Sequence, residues 1–312
     1  MFLKKPRPNT DQRLRSLLQK AARRGHGDVV ELVIDKLNRA GDLAWLRSRS
    51  VVITFEECWP LAALLTIGSE LESKRRALLK VTGAAKQKDA AGLGALGYAY
   101  HEGDRSMLDC VPDDREMRIV AAALDRTGAF FEWVLANARG DSAVAAVLAA
   151  KRYIKVATWQ WDKACILGGA LLATKRHLEV RPAPTPTEEF PYWVALDKHT
   201  PSGKTVLAQV AKDLRVSHRQ VIWASFYFES AQVNDLLPSD WWRAEATWRL
   251  RRSGLTFEAA GELWKRARPL VRDHLSEDAE VLKQFVEASD TSRLFGDAGP
   301  HPPNGTSGST PE

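Results

Sequence analysis

The sequence predicts an all-α protein of two helical subdomains, and three observations predict it. Apolar residues recur at spacings of three and four through nearly every segment that lies between turn signals. Glycine, proline, Asp, Ser and Thr cluster at the ends of those segments, where helices need caps and stops. The one strand-like run, Val51-Val52-Ile53-Thr54-Phe55, has neighbours too helical in pattern for a strand. With 312 residues, 45% of them apolar, the chain can bury one large core or two ordinary ones.

Residues 1–10 carry Lys4, Lys5 and Arg7 around Pro6 and Pro8, which cannot continue a helix, so a flexible basic arm is expected. Residues 11–180 read as a helical bundle. A helix begins at Asp11, a natural N-cap, and shows Leu14, Leu17 and Leu18 on one face. A second runs from Asp28 to Arg39 and stops at Gly41, with Asp42 placed to cap the next. Leu61 to Val81 and Asp89 to Tyr100 read as further helices. Gly92, Gly94 and Gly97 in the latter permit close helix approach at about 1 kcal/mol each in helix stability. Arg115 to Ala138 and Ser142 to His177 are alanine-rich and apolar nearly all round, as buried bundle helices are, and a break is expected near Gly168-Gly169.

Prolines 182, 184, 186 and 191 make residues 181–191 an extended hinge and the expected domain boundary. The second helical domain, 192–290, opens with a loop whose Thr200 caps a helix starting at Pro201. Asp197, His199 and Thr200 form a polar cluster read as a structural cap, since no nucleophile, base and orienting group surround it. Leu207 to Val221 fits helix-turn-helix spacing, with Ser217 as cap and His218, Arg219 and Gln220 at the start of the second helix, where they reach base edges or phosphates. Trp223, Phe226 and Phe228 on that helix argue instead for a core helical hairpin. Helices then fill Pro238 to about Ala288, with a cap at Asp240, and residues 293–312 are too polar to fold.

The net charge of +6 favours a polyanionic partner. It is concentrated in two places. Met1 to Arg24 holds eight basic residues (Lys4, Lys5, Arg7, Arg13, Arg15, Lys20, Arg23, Arg24) against Asp11 alone. Arg243 to Arg272 holds eight more, including Arg249, Arg251, Arg252, Lys265 and Arg266, against three acids. Arginine interleaved with tryptophan suits nucleic acid, because guanidinium groups take phosphates while indoles stack on unpaired bases. The same pattern equally describes a packed helix with a solvated face.

Other chemistries find little support. Cys58, Cys110 and Cys165 are far apart and without a CxxC pair, so they read as reduced core residues. Gly203-Lys204-Thr205 ends like a phosphate-binding loop, but the glycine needed five residues earlier is Lys198. The acidic end of Val51–Glu57 precedes that segment instead of following it. No cofactor, metal site, signal peptide or membrane span is expected, and a cytoplasmic, non-enzymatic protein follows.

Residues 18–65 carry a resemblance. Lys20, Arg24, Gly25 and Asp28, the turn Ala40-Gly41-Asp42, and then Arg47, Arg49, Glu56 and Glu57 resemble two segments in the C-terminal region of clamp-loader-related AAA+ ATPases of the RarA/MgsA type. The chain departs from that family at Glu57-Cys58-Trp59-Pro60, where a carboxylate–glycine pair is usual, and only 17 residues precede Leu18, too few for the ATPase core. The resemblance implies a clamp-loader-collar-like bundle, possible homo-oligomerisation, and a place in DNA replication or repair. The expectation is a non-catalytic accessory protein that binds DNA through its basic surfaces. Alternatives are a helix-turn-helix transcription regulator and an adaptor for a separate replication or repair ATPase.

Overall fold

A computed structural model describes residues 11–66, 70–111, 113–155 and 157–288; the expected basic arm (1–10) and polar tail (293–312) lie outside them. Among the described residues there are thirteen α-helices and no strand, which makes the protein all-α. In chain order they are α1 (Gln12–Arg24), α2 (Gly27–Arg39), α3 (Leu43–Cys58), α4 (Leu71–Thr82), α5 (Asp89–His101), α6 (Arg115–Asp125) and α7 (Thr127–Asn137). There follow α8 (Asp141–Tyr153), α9 (Gln160–Ala173), α10 (Pro201–Asp213), α11 (His218–Ser225), α12 (Asp240–Arg251) and α13 (Phe257–Glu287). Val51 to Phe55 lies inside α3.

Several boundaries differ from the sequence reading, each for a local reason. Pro60 lacks an amide donor, and Trp59–Thr66 forms a 3₁₀ run before α4 instead of one helix over 61–81. The stretch 115–138 breaks at Arg126 (φ −122°, ψ 45°), where Thr127 Oγ1 takes over the Ala123 carbonyl at 3.0 Å. The stretch 142–177 breaks between Tyr153 and Gln160, not at Gly168-Gly169. Those glycines sit inside α9 because a Cβ on Gly169 would lie 2.5 Å from the Phe55 ring. Ser239, not Asp240, caps α12, its hydroxyl accepting from Trp242 N at 3.1 Å. Asp42 does not cap α3; its carboxylate takes Arg15 instead.

Two apolar clusters form the core. One gathers α1, α2, α4, the turn at Tyr192–Ala195, α10, α11 and α13. The other gathers α5 to α9 and α12. Each draws on both sides of the proline-rich segment. Helix α3 serves both, with Leu46, Ile53 and Cys58 in the first and Val51 and Phe55 in the second. A helix apolar on most of its circumference has to be buried on most sides. The segment 83–87 straps the parts together: Ala85 N donates to Arg181 O, Ala183 N to Gly83 O, and Lys86 N to Asp235 O. The buried Lys86 ammonium donates to the carbonyls of Val81, Thr82 and Ala84 (2.6–3.0 Å), closing the end of α4.

The glycines of α5 each admit a different helix. A side chain at Gly92 would strike the Trp241 backbone in α12, one at Gly94 would lie 2.5 Å from Cys165 Cα in α9, and one at Gly97 would lie 2.7 Å from Val120 in α6. Gly94→Ala should therefore destabilise the protein by about 1–3 kcal/mol despite alanine's better helix propensity. Gly128→Ala on α7, with nothing within 4 Å, should be neutral or gain up to about 1 kcal/mol; urea denaturation of the two variants checks the contrast.

Candidate nucleic-acid interface

The basic residues of α1 turn inward. Lys20 is 3% exposed and Arg23 4%. Lys20 Nζ meets Asp197 Oδ2 at 2.5 Å and donates to Ser16 Oγ at 2.9 Å. Arg23 pairs with Glu57 Oε1 at 2.7 Å and donates to the Ser230 carbonyl at 2.6 Å. Lys88 takes the other oxygen of Glu57 at 2.9 Å. Arg24 pairs with Glu229 at 2.7 Å, and Arg268 and the Trp264 indole hold that carboxylate's second oxygen. Arg49 bridges Glu56 and Asp162 at 3.1 Å each, while Gln19 also reaches Glu56. Of the positions that carry the clamp-loader resemblance, Arg49 and Glu56 pair with each other, while Lys20, Arg24 and Glu57 pair with residues outside that set.

Burial alone would raise the Glu57 carboxyl, but Arg23 and Lys88 together hold it at about 2. Burial likewise works against the Asp197 charge, yet the Lys20 ammonium keeps that carboxyl below its ordinary value. Lys20, Arg23 and Arg24 consequently offer no charge to phosphate, which corrects the reading of α1 as a DNA-binding element. Arg13 and Arg15 are half-buried and paired with Asp11 and Asp42; Arg15 also stacks over Trp45. Lys4, Lys5 and Arg7 lie outside the described residues.

The helix-turn-helix-like segment takes the expected helical form. Thr200 caps α10 through Gly203 N (3.2 Å), and Gly203 packs against the carbonyls of Leu196 and Asp197, leaving no phosphate cradle there. Arg215 adopts a left-handed conformation (φ 55°) in the turn. Ser217 and Gln220 then close α11 with a reciprocal capping box, and Val221 is fully buried beneath it. The Gln220 side chain is thereby engaged in the cap. His218 and Arg219 project from the first turn, exposed.

The second basic cluster is only partly available. Arg249 is held by Glu245 and lies between the rings of Trp161 and Trp223, 4.4 and 4.5 Å from their centroids. Arg251, Arg252, Lys265 and Arg266 are exposed. Arg252 pairs with Asp104 at 2.6 Å, Lys265 with Glu262, and Arg251 Nη1 lies 3.5 Å from the half-buried Cys110. Cys58 and Cys165 are core residues, and burial pushes the Cys58 thiol up to about 12.

The fold brings the two exposed sets together. A Cβ on Gly254, in the turn after α12, would lie 3.9 Å from Gln220 Nε2. The turn that follows Arg251 and Arg252 thus lies beside the start of α11, while the two side chains themselves reach Cys110 and Asp104. Phe257, half-exposed at 50%, follows in the same turn against Phe228 (ring centroids 4.9 Å apart). Lys265 and Arg266 lie farther along α13, beyond its contact with Phe228 at Gly261. Sequence reasoning missed Lys198 and Trp161, described below, because nothing in their spacing marks them. Trp223 and Phe228, expected in a core hairpin, pack half-buried against the first core cluster, and Phe226 is half-buried as well.

No protein-family model matches the chain, and neither a curated protein nor a solved structure matches it. No helix among the described residues is long and apolar enough to cross a membrane.

The buried pairs set an acid limit on stability. The Glu57 contribution is complete above about pH 4.5 and is lost as pH falls toward about 2, because its folded carboxyl titrates lower than its unfolded one. Glu57→Ala, which strands two buried cations, should cost about 3–5 kcal/mol at neutral pH. Chemical denaturation at neutral pH and at pH 3 should show the wild-type advantage over this variant shrinking in acid.

Proposed function

We propose that the protein is a non-catalytic accessory protein of DNA replication or repair that binds DNA through the surface formed by the start of α11 and the turn between α12 and α13. The observation that carries this reading is the exposure of His218 and Arg219 at the start of α11, against which the turn following the exposed Arg251 and Arg252 packs at Gly254. Lys265 and Arg266 extend positive charge along α13. Such side chains contact phosphates and fix the position of a duplex or strand without reading its sequence. The place in replication or repair is supported by the resemblance of residues 18–65 to the clamp-loader-related ATPases. The same resemblance alone supports self-association.

Fluorescence anisotropy with labelled single- and double-stranded oligonucleotides tests the reading. Binding should weaken steeply with salt, and Arg219→Glu with Arg251→Glu should reduce the slope of log affinity against log salt by about one per lost contact. The variant should melt as the wild type does. Absence of binding at low salt, or an unchanged slope, would remove the proposal.

A second reading, a sequence-specific regulator, is favoured by the outward position of His218 and Arg219 on a well-capped α11. It predicts that a selected duplex sequence outcompetes random DNA.

A further inference from the structure

We infer that the seam between the two core clusters is a stacking surface for the unpaired bases of single-stranded DNA; this rests on the DNA-binding reading above and specifies the form of the ligand. Five aromatic rings meet there without being fully enclosed: Trp161 from α9, Trp223 from α11, Phe226 and Tyr227 from the π-helical turn that continues it, and Trp242 from α12 are all half-buried. They are contiguous. The Phe226 ring lies 5.6 Å from Trp223 and 6.4 Å from Trp242, and Arg249 joins Trp223 to Trp161 by standing between them. Trp159, 69% exposed, begins the helix that carries Trp161.

Indoles left partly exposed forgo part of the stabilisation that full burial would give them, and a contiguous group of them marks a binding surface more often than scattered ones do. The surface is also held in place. Glu245, 3% exposed, pairs with Arg249 and accepts a hydrogen bond from Tyr227 at 2.7 Å, so the rings need little ordering when a ligand arrives.

Charge selects the ligand. Lys198 Nζ sits 4.1 and 4.2 Å above the Trp223 and Phe226 rings and forms no ion pair among the described residues. The acids nearby are already matched, Asp197 by Lys20 and Glu245 by Arg249. One ammonium therefore remains without an ion-pair partner on an aromatic platform. Burial and the adjacent Arg249 bring the Lys198 pKa down to about 8, so an arriving phosphate would favour its charged form. Aromatic faces beside a cation suit a strand whose bases are free to stack; a duplex keeps its bases stacked on one another.

The test compares oligo(dT) with a duplex by fluorescence anisotropy. Trp161→Ala and Lys198→Gln should each weaken oligo(dT) binding, the former by about 5- to 150-fold, and leave duplex affinity within about twofold. Trp223→Phe, which keeps an aromatic face, should retain most of the affinity should Trp223→Ala fail to fold. If wild-type protein binds duplex but not oligo(dT), or if Trp161→Ala and Lys198→Gln melt normally and bind oligo(dT) unchanged, the inference is overturned while the DNA-binding reading stands. If neither DNA is bound, both fall.

Discussion

Every part of this fold depends on α1 entering the interior with its charges already matched. Lys20, Arg23 and Arg24 meet carboxylates from three distant segments: Asp197 ahead of α10, Glu57 at the end of α3, and Glu229 in the π-helical turn after α11. A buried ion pair adds little to stability compared with apolar residues of the same shape, but losing one partner costs several kcal/mol. The network therefore works as a register: only one placement of α1 against α3 and the C-terminal helices satisfies all three cations. The apolar contacts of Leu14, Leu17 and Leu18 supply the attraction, and the ions select the arrangement.

This arrangement changes where the protein's excess charge can act. Eight basic residues precede residue 25, yet those described in α1 are paired or enclosed. Exposed basic residues toward the other end of the chain include His218, Arg219, Arg251 and Arg252. Helix α12 connects that surface to the aromatic seam, since it carries Arg251, Trp242 and the Glu245–Arg249 pair and is followed by Arg252. The proposed single-strand surface thus adjoins the proposed DNA-contacting turn through one helix.

The helical class and most helix starts were legible in the sequence because their signals are local. Asp11, Thr200 and Ser217 cap helices where their side chains reach the next turn's amides, and Gly41 takes the left-handed turn it suggests. Breaks near residues 126 and 154–159 were not legible, since alanine-rich stretches give the same periodicity whether continuous or bent. The fate of the charges was least legible. Lys20 and Arg23 look like a solvated basic face until Asp197 and Glu57 are brought in from far along the chain. In the same way, Trp161 meets Trp223 only through Arg249, a contact no single-segment pattern encodes.

The central claim is that the N-terminal cations are structural and that DNA contact belongs to the C-terminal surface. Amide hydrogen exchange with and without oligonucleotide tests it most directly. New protection across the start of α11 and the α12–α13 turn, with α1 unchanged, is the predicted result. Protection that appears on α1 and leaves the C-terminal surface unaffected would contradict it.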